Sequence, residues 1–234
     1  MRPATAPQSL VGLTAPFLAL FVALSLALPA CDVNVTIGGE PGLQGSGVEA
    51  TETREVGAFS RVLLEGAGTL ELSTGAATPL TMSGDDNLLP LIETTVTDGE
   101  LLIRPRESIS PELSLVFRVS SPDLTAVRSA GAAKIVATDL DAQEFTVSVH
   151  GAASVEASGR AGSLTIDVAG AGSVDTTALV ARDVVVDLAG ASNAEVHADG
   201  TLAVTIAGVG SVRYSGDAEL VKEDVSGLGS VRKR

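Results

Sequence analysis

From Gly131 onward the chain alternates apolar and polar residues around a recurring glycine. Taking the first glycine of each recurrence as a marker gives Gly131, Gly151, Gly170, Gly190, Gly208 and Gly227, separated by 20, 19, 20, 18 and 19 residues. Two, four and six positions before a marker stand Val149, Val147 and Phe145; Val168, Ile166 and Leu164; Leu188, Val186 and Val184; and Ile206, Val204 and Leu202. Four and six positions after one come Val155 and Ala157, Val174 and Thr176, Ala194 and Val196, and Val212 and Tyr214. A two-residue period turns one set of side chains to a buried face. Each unit therefore predicts a strand of about seven residues, a glycine corner, a second short strand and a looser return such as SGRAG or HADG.

Two strands cannot cover an apolar face alone. Units laid parallel and in register, about 4.8 Å apart, bring equivalent side chains into aliphatic columns and give every strand neighbours above and below. The expected fold is all-β: a single-domain parallel β-helix-like solenoid with about 19–20 residues per coil. Right-handed winding is the default for parallel crossovers. The left-handed hexapeptide form lacks its six-residue sub-period here, and the calcium-binding nonapeptide form lacks its GGxGxD motif. At each corner the chain turns sharply and passes close to the corners above and below, so glycine and alanine are the residues that fit.

The earlier region follows the same design less regularly. Gly66 is preceded by Val62 and Leu64 and followed by Leu70 and Leu72, the same offsets as in the later units. The 65 residues separating it from Gly131 leave room for about three coils with an insertion. The segment DDNLLPLIETTV, 85 to 96, reads as a short helix or turn weakened by Pro90, and LLIRP and LVFRVSSP read as strands. At the other end Glu223 interrupts the inward pattern. Together with Lys222, Arg232, Lys233 and Arg234 it is expected to blunt the open end against stacking with another molecule.

The N-terminal 30 residues carry a different signal. Arg2 is the only charge before Asp32, and the apolar run from Phe17 to Ala30 has the length of a signal-peptide core. Leu28-Pro29-Ala30-Cys31 resembles a bacterial lipobox, which would make Cys31 a lipid attachment site and tie the protein to a membrane. An ordinary signal peptide, or an uncleaved helix over residues 10 to 30, is the alternative. All three readings place the remainder outside the cytoplasm, in the cell envelope. The expected organisation is a lipoprotein-type signal peptide over 1–30, a flexible Gly-, Thr- and Glu-rich tether over 31–55, and the β domain over 56–234.

Composition narrows the partners. Aromatics make up 3% of the chain, so the core has to be aliphatic. A formal net charge of −14 argues against nucleic acid, which needs a basic patch to neutralise phosphate. One cysteine permits neither an internal disulfide nor a cysteine metal cluster.

From Phe59 to the C-terminus the pattern resembles the putative auto-transporter adhesin, head GIN domain family. The features that carry the resemblance are F59-S-R-V62 opening into GAGTLEL, the segment SGDDNLLPLIETTVTDGELLI, FRVSSPDLTAV, and the serial glycine corners. It implies a bacterial envelope location and a β-helix-like domain, and it supplies no catalytic residues.

Stacking also creates outward rows. One, behind the corners, contains Lys134, Glu156, Asp175, Glu195, Arg213 and Arg232; another, in front of them, contains Ser148, Asp167, Asp187, Thr205 and Asp224. Carboxylates about 5 Å apart suit a Ca²⁺ site or the acid pair of a retaining glycosidase. The plainer reading is a solvated face, since no aromatic grip or basic clamp accompanies them. His150 and His197 occupy different offsets, and no Ser-His-Asp signature, phosphate loop or HExxH is present. The expected function is non-catalytic and without cofactor: a lipid-anchored envelope solenoid presenting an acidic, Ser/Thr-rich surface for adhesion or for binding an envelope component, its ligand a protein or glycan. A polysaccharide-active enzyme, and an envelope-stress or assembly factor with a membrane partner, are the rivals.

Overall fold

The alternation resolves into two burial faces. Phe145, Val147 and Val149, then Leu164, Ile166 and Val168, then Leu202, Val204 and Ile206, are all essentially inaccessible to solvent, with Val184, Val186 and Leu188 between them. Behind the corners Val155, Val174, Ala194 and Val212 are buried on the same side, and Phe145 is core. Tyr214 is partly buried against that core. Each such aliphatic side chain contributes about 1.5–3 kcal/mol on burial, so the columns are the main cohesive term.

The computed structural model describes residues 42–234, which are all-β apart from one 3-10 turn at Leu89–Leu91. The strands are β1 (Leu43–Gln44), β2 (Glu49–Arg54), β3 (Arg61–Thr74), β4 (Leu80–Asp85), β5 (Ile92–Thr97), β6 (Glu100–Pro105), β7 (Ile109–Ser110), β8 (Val116–Ser121), β9 (Ala126–Ser215) and β10 (Glu219–Lys233). The larger sheet runs β10-β9-β3-β8-β4-β2 and stays open, with β10 and β2 at its ends.

Pairing between rungs is parallel. The last segment of β9 lies beside β10 with Gly208 opposite Gly227 and Val212 opposite Val231. The first lies beside β3 with Val62 opposite Val127, Gly66 opposite Gly131 and Leu70 opposite Ile135. All seven corner glycines, Gly66, Gly131, Gly151, Gly170, Gly190, Gly208 and Gly227, have positive φ, from 100° at Gly66 to 143° at Gly170. From Gly131 to Gly227, a Cβ at any corner would collide with the carbonyl oxygen of the preceding one. Glycine is required there by conformation and by space.

Three expectations are corrected. The 65 residues after Gly66 do not add coils between Gly66 and Gly131, which are direct neighbours. They fold to the opposite side of β3, where β6 and β8 both pair with it in parallel. Beyond them the sheet turns antiparallel through β5 on β6, β4 on β8 and β2 on β4. The β5–β6 hairpin closes on Asp98 and Gly99, both at positive φ, the arrangement of a two-residue type I′ turn. Segment 85 to 96, expected as a short helix or turn, holds the 3-10 turn and then the strand β5.

The returns are not loose either. They lie within β9, and Leu140, Ala161, Leu179, Ala181 and Ala198 are buried there. A third inward side explains why small residues are used: Gly159 packs on the Leu140 backbone and Gly216 on that of Ala198.

The tether expected over 31–55 is structured from Leu43 onward, because β1 pairs with β7 and β2 with β4. Arg54 anchors it, donating to the Leu89 carbonyl at 3.0 Å, to the Ile92 carbonyl and to Glu52 at 2.8 Å. The expected signal peptide over 1–30, Cys31 and the expected tether through residue 41 lie outside the described residues. Among the described residues no helix is long and apolar enough to cross a membrane.

Candidate functional site

In the row behind the corners the fold supplies Glu156, Asp175 and Glu195 each with a partner. Glu156 receives Lys134 Nζ at 3.1 Å. Asp175 accepts the Thr177 backbone N–H at 3.0 Å and its hydroxyl at 2.7 Å. Glu195 is bracketed by Arg213 at 3.1 Å and Arg234 at 3.0 Å. These bonds hold the Asp175 carboxyl below the usual carboxylate range: the Thr177 hydroxyl contributes most, then its N–H, against partial burial, with Arg234 adding attraction. Lys134 is not in register with the row. Val136 holds the equivalent rung position, opposite Glu71, and the lysine reaches Glu156 from two residues earlier.

In the other row Asp167 and Asp187 are exposed, Thr205 is half-buried and Ser148 is buried. Asp224 lies beside Thr205 on the last rung. Among the described residues no three His, Cys, Asp or Glu side chains converge as metal ligands would. Glu156 and Asp175 share one shallow groove with Val136, Thr138, Ser158 and Thr177. No aromatic surface lines it.

Much of this outer polarity binds rung to rung. Asp183 takes the Thr201 hydroxyl at 2.7 Å and its N–H at 3.2 Å, and Asn193 does the same for Ser211 at 2.8 and 3.2 Å. The Thr201 hydroxyl is the main reason the Asp183 carboxyl lies below the ordinary range; burial opposes it, and Arg182 assists. The 18-residue offset of these pairs is the corner period itself.

The same offset assembles a trio that no linear motif announces. His197 Nδ1 lies 3.0 Å from Ser215 Oγ, and Nε2 lies 3.1 Å from Asp199 Oδ1. The contacts are those of a serine, a histidine and an aspartate in line, yet the surroundings are wrong for nucleophilic catalysis. The Asp199 side chain is 49% exposed, so water screens the charge that would have to orient and stabilise an imidazolium. Ser215 Oγ also leans on the Val196 carbonyl at 3.4 Å. His150 is separate and reaches only Ser148, at 3.5 Å.

The motif SGDDN has a mechanical explanation. Asp85 is fully buried and accepts backbone N–H bonds from Gly47 at 2.8 Å, Leu113 at 3.0 Å and Glu112 at 3.1 Å. Burial opposes its ionisation, but the donors of Leu113, Gly47 and Glu112 outweigh that and hold its carboxyl below the ordinary range. Asp86 accepts the Ser46 hydroxyl at 2.5 Å, and Asn87 exchanges bonds with Ser46 N–H at 2.9 Å and the Gln44 carbonyl at 2.8 Å. Three consecutive side chains thus fasten residues 44–47 to the domain.

A single all-β domain of parallel rungs, bearing polar rows outside and aliphatic columns inside, is the class these observations define. The chain belongs to the putative auto-transporter adhesin, head GIN domain family, which matches residues 58–218. It is similar in fold to a putative adhesin from Bacteroides fragilis, with TM-score 0.61 and 19% identity over 82% of this chain and 100% of that one. It is similar also to a putative lipid binding protein from Parabacteroides distasonis, with TM-score 0.53 and 20% identity over 82% and 99%. A putative adhesin from Parabacteroides merdae matches with TM-score 0.52 and 17% identity over 83% and 99%. No curated protein matches the chain.

Proposed function

We propose that this protein is a non-catalytic adhesive module of the cell envelope, a parallel β-helix-type solenoid held to a membrane through lipid on Cys31 and presenting acidic, Ser/Thr-bearing faces to a glycan or protein. One observation carries the reading: the interior is filled by side-chain columns, so what repeats and faces outward is a polar surface. Exposed Asp167 and Asp187 recur along one face, and Glu156 and Asp175 along another. Long faces of this kind suit extended polymers and other proteins. The adhesin names borne by the family and by two of the similar structures support the same direction.

The test is a glycan array probed with the full chain and with an Asp167→Asn, Asp187→Asn double variant, each bound glycan then being assayed for new reducing ends. Binding without turnover, weakened by the substitutions, is the expected result. Release of reducing ends by the wild type, abolished in the variant, would replace adhesion with hydrolysis. Fatty-acid labelling that persists after Cys31→Ala would remove the anchor.

A further inference from the structure

The free edge of β10 has a symmetry that neither its burial nor its composition explains. Residues Glu223 to Lys233 read E-D-V-S-G-L-G-S-V-R-K: the central seven are the same in both directions, with two acids on one side and two bases on the other. β10 is the terminal strand of the sheet and pairs on one side only, with β9. Its rung is left open. Leu228 at the corner is 79% exposed, and Val225 and Val231 are only partly buried, whereas Ile206 and Val212, their partners one rung in, are closed off.

We propose that this edge binds the same edge of a second copy, antiparallel, about a two-fold axis through Leu228. In that register Gly227 faces Gly229, Ser226 faces Ser230 and Val225 faces Val231, so like sits beside like in size and polarity. Asp224 meets Arg232 and Glu223 meets Lys233, twice each by symmetry. Alternation is preserved: Glu223, Val225, Val231 and Lys233 stand over Val204, Ile206, Val212 and Tyr214 on the inward face, while Asp224 and Arg232 stand over Thr205 and Arg213 on the outward one. The inward charges Glu223 and Lys233, expected from the sequence to help blunt this end against another molecule, instead complement each other across the axis. Among the described residues none of Glu223, Asp224, Arg232 and Lys233 has an ion-pair partner, although Arg213 and Arg234 beside them do. The flanking like charges are already directed elsewhere, Lys222 to the Thr205 hydroxyl at 3.1 Å and Arg234 to Glu195.

Pairing of two identical edges is isologous and closes on itself, so it gives a dimer and not a fibre. It satisfies the backbone groups that an exposed edge strand leaves open and extends the columns across the junction. Head-to-tail stacking is excluded by the other end, where antiparallel β5, β4 and β2 cover the parallel rungs. Because β2 lies at the far end of the sheet from β10, such a dimer points its two N-terminal ends apart. With the anchor proposed above, the contact would join molecules of facing membranes; the pairing itself does not depend on that anchor.

Charge exchange tests it, using the full chain in detergent micelles and sedimentation to read mass. The wild type should dimerise. A basic-edge chain carrying Glu223→Lys and Asp224→Arg, and an acidic-edge chain carrying Arg232→Asp and Lys233→Glu, should each weaken self-association at least about a hundredfold. Mixed one to one, they should form a heterodimer. A wild type that stays monomeric up to about 0.1 mM, or a mixture no better associated than its components, overturns the proposal. If an exchanged edge fails to fold, Leu228→Cys serves instead: oxidation should link it to its symmetry mate, while Val209→Cys, the corner residue one rung in, should not link. Equal linkage of the two, or none at Leu228→Cys, overturns it as well.

Discussion

Gly131 stands directly on Gly66, although 64 residues intervene, and a Cβ on Gly131 would drive into the Gly66 carbonyl oxygen. The same contact recurs at every later corner, so substitution at one corner strains the backbone and separates two rungs at once. Gly170, at φ 143° and packed on the Gly151 carbonyl, is the sharpest case. Gly170→Ala should cost about 2 kcal/mol or more and lower the melting temperature by about 4–8 °C. Gly75→Ala, with nothing within 4 Å of the added carbon, should stay within about 0.5 kcal/mol of wild type. Calorimetry on the two variants decides; equal effects would remove the corner argument.

What could be read ahead of the structure follows from locality. Alternation at Leu164, Ile166 and Val168 is a property of neighbouring residues, and a buried face forces it, so the rung strands and their inward columns were legible. Partner direction is not local. Leu80 and Met82 in antiparallel β4 alternate just as Val62 and Leu64 do in parallel β3, and all four are buried, so spacing alone turned 65 residues into extra coils. The polar strand Glu49–Arg54 pairs through its backbone and shows no apolar face, which made it look like a tether. Asp98-Gly99 between β5 and β6 was a readable hairpin signal. The meeting of His197, Ser215 and Asp199 depends on an 18-residue register and becomes visible only once that register is known.

Ser192 is buried with a hydroxyl that has no hydrogen-bond partner. It sits two residues after its corner, where the equivalent positions are Ala133 and Ala153, both buried, and Gly172 and Gly210. The aliphatic environment repays nothing for the desolvated oxygen. Ser192→Ala should therefore stabilise the domain by about 1 kcal/mol and raise the melting temperature by about 2–4 °C. A lower melting temperature would mean that the hydroxyl has a partner after all.

Asp85 couples stability to pH through the segment it fastens. Its carboxyl is held below the ordinary value in the fold, so the unfolded chain binds its proton first as pH falls. Its contribution is complete above about pH 4 and disappears as pH drops through the folded value. Asp85→Asn should lower the melting temperature at pH 7, and the gap from wild type should narrow below pH 4. It should also expose Gly45–Val48 to early proteolysis, because the Gly47, Glu112 and Leu113 N–H groups share two carboxylate oxygens and asparagine keeps one, its NH2 facing N–H donors in place of the other. Asp86→Asn, which touches only the Ser46 hydroxyl, should do much less.

Glu195 separates the two accounts of the acidic row. It is bracketed by Arg213 and Arg234, both largely solvent-exposed, so Glu195→Gln should cost no more than about 1 kcal/mol. Were the row instead a Ca²⁺ site, its carboxylates would repel one another without the ion, and adding Ca²⁺ would raise the melting temperature. With Lys134 on Glu156, Thr177 on Asp175 and two arginines on Glu195, the repulsion is already offset within the chain. Millimolar Ca²⁺ should leave the melting temperature of wild type and of Glu195→Gln unchanged. A rise confined to the wild type would locate a cation at this glutamate and reverse the assignment of the row.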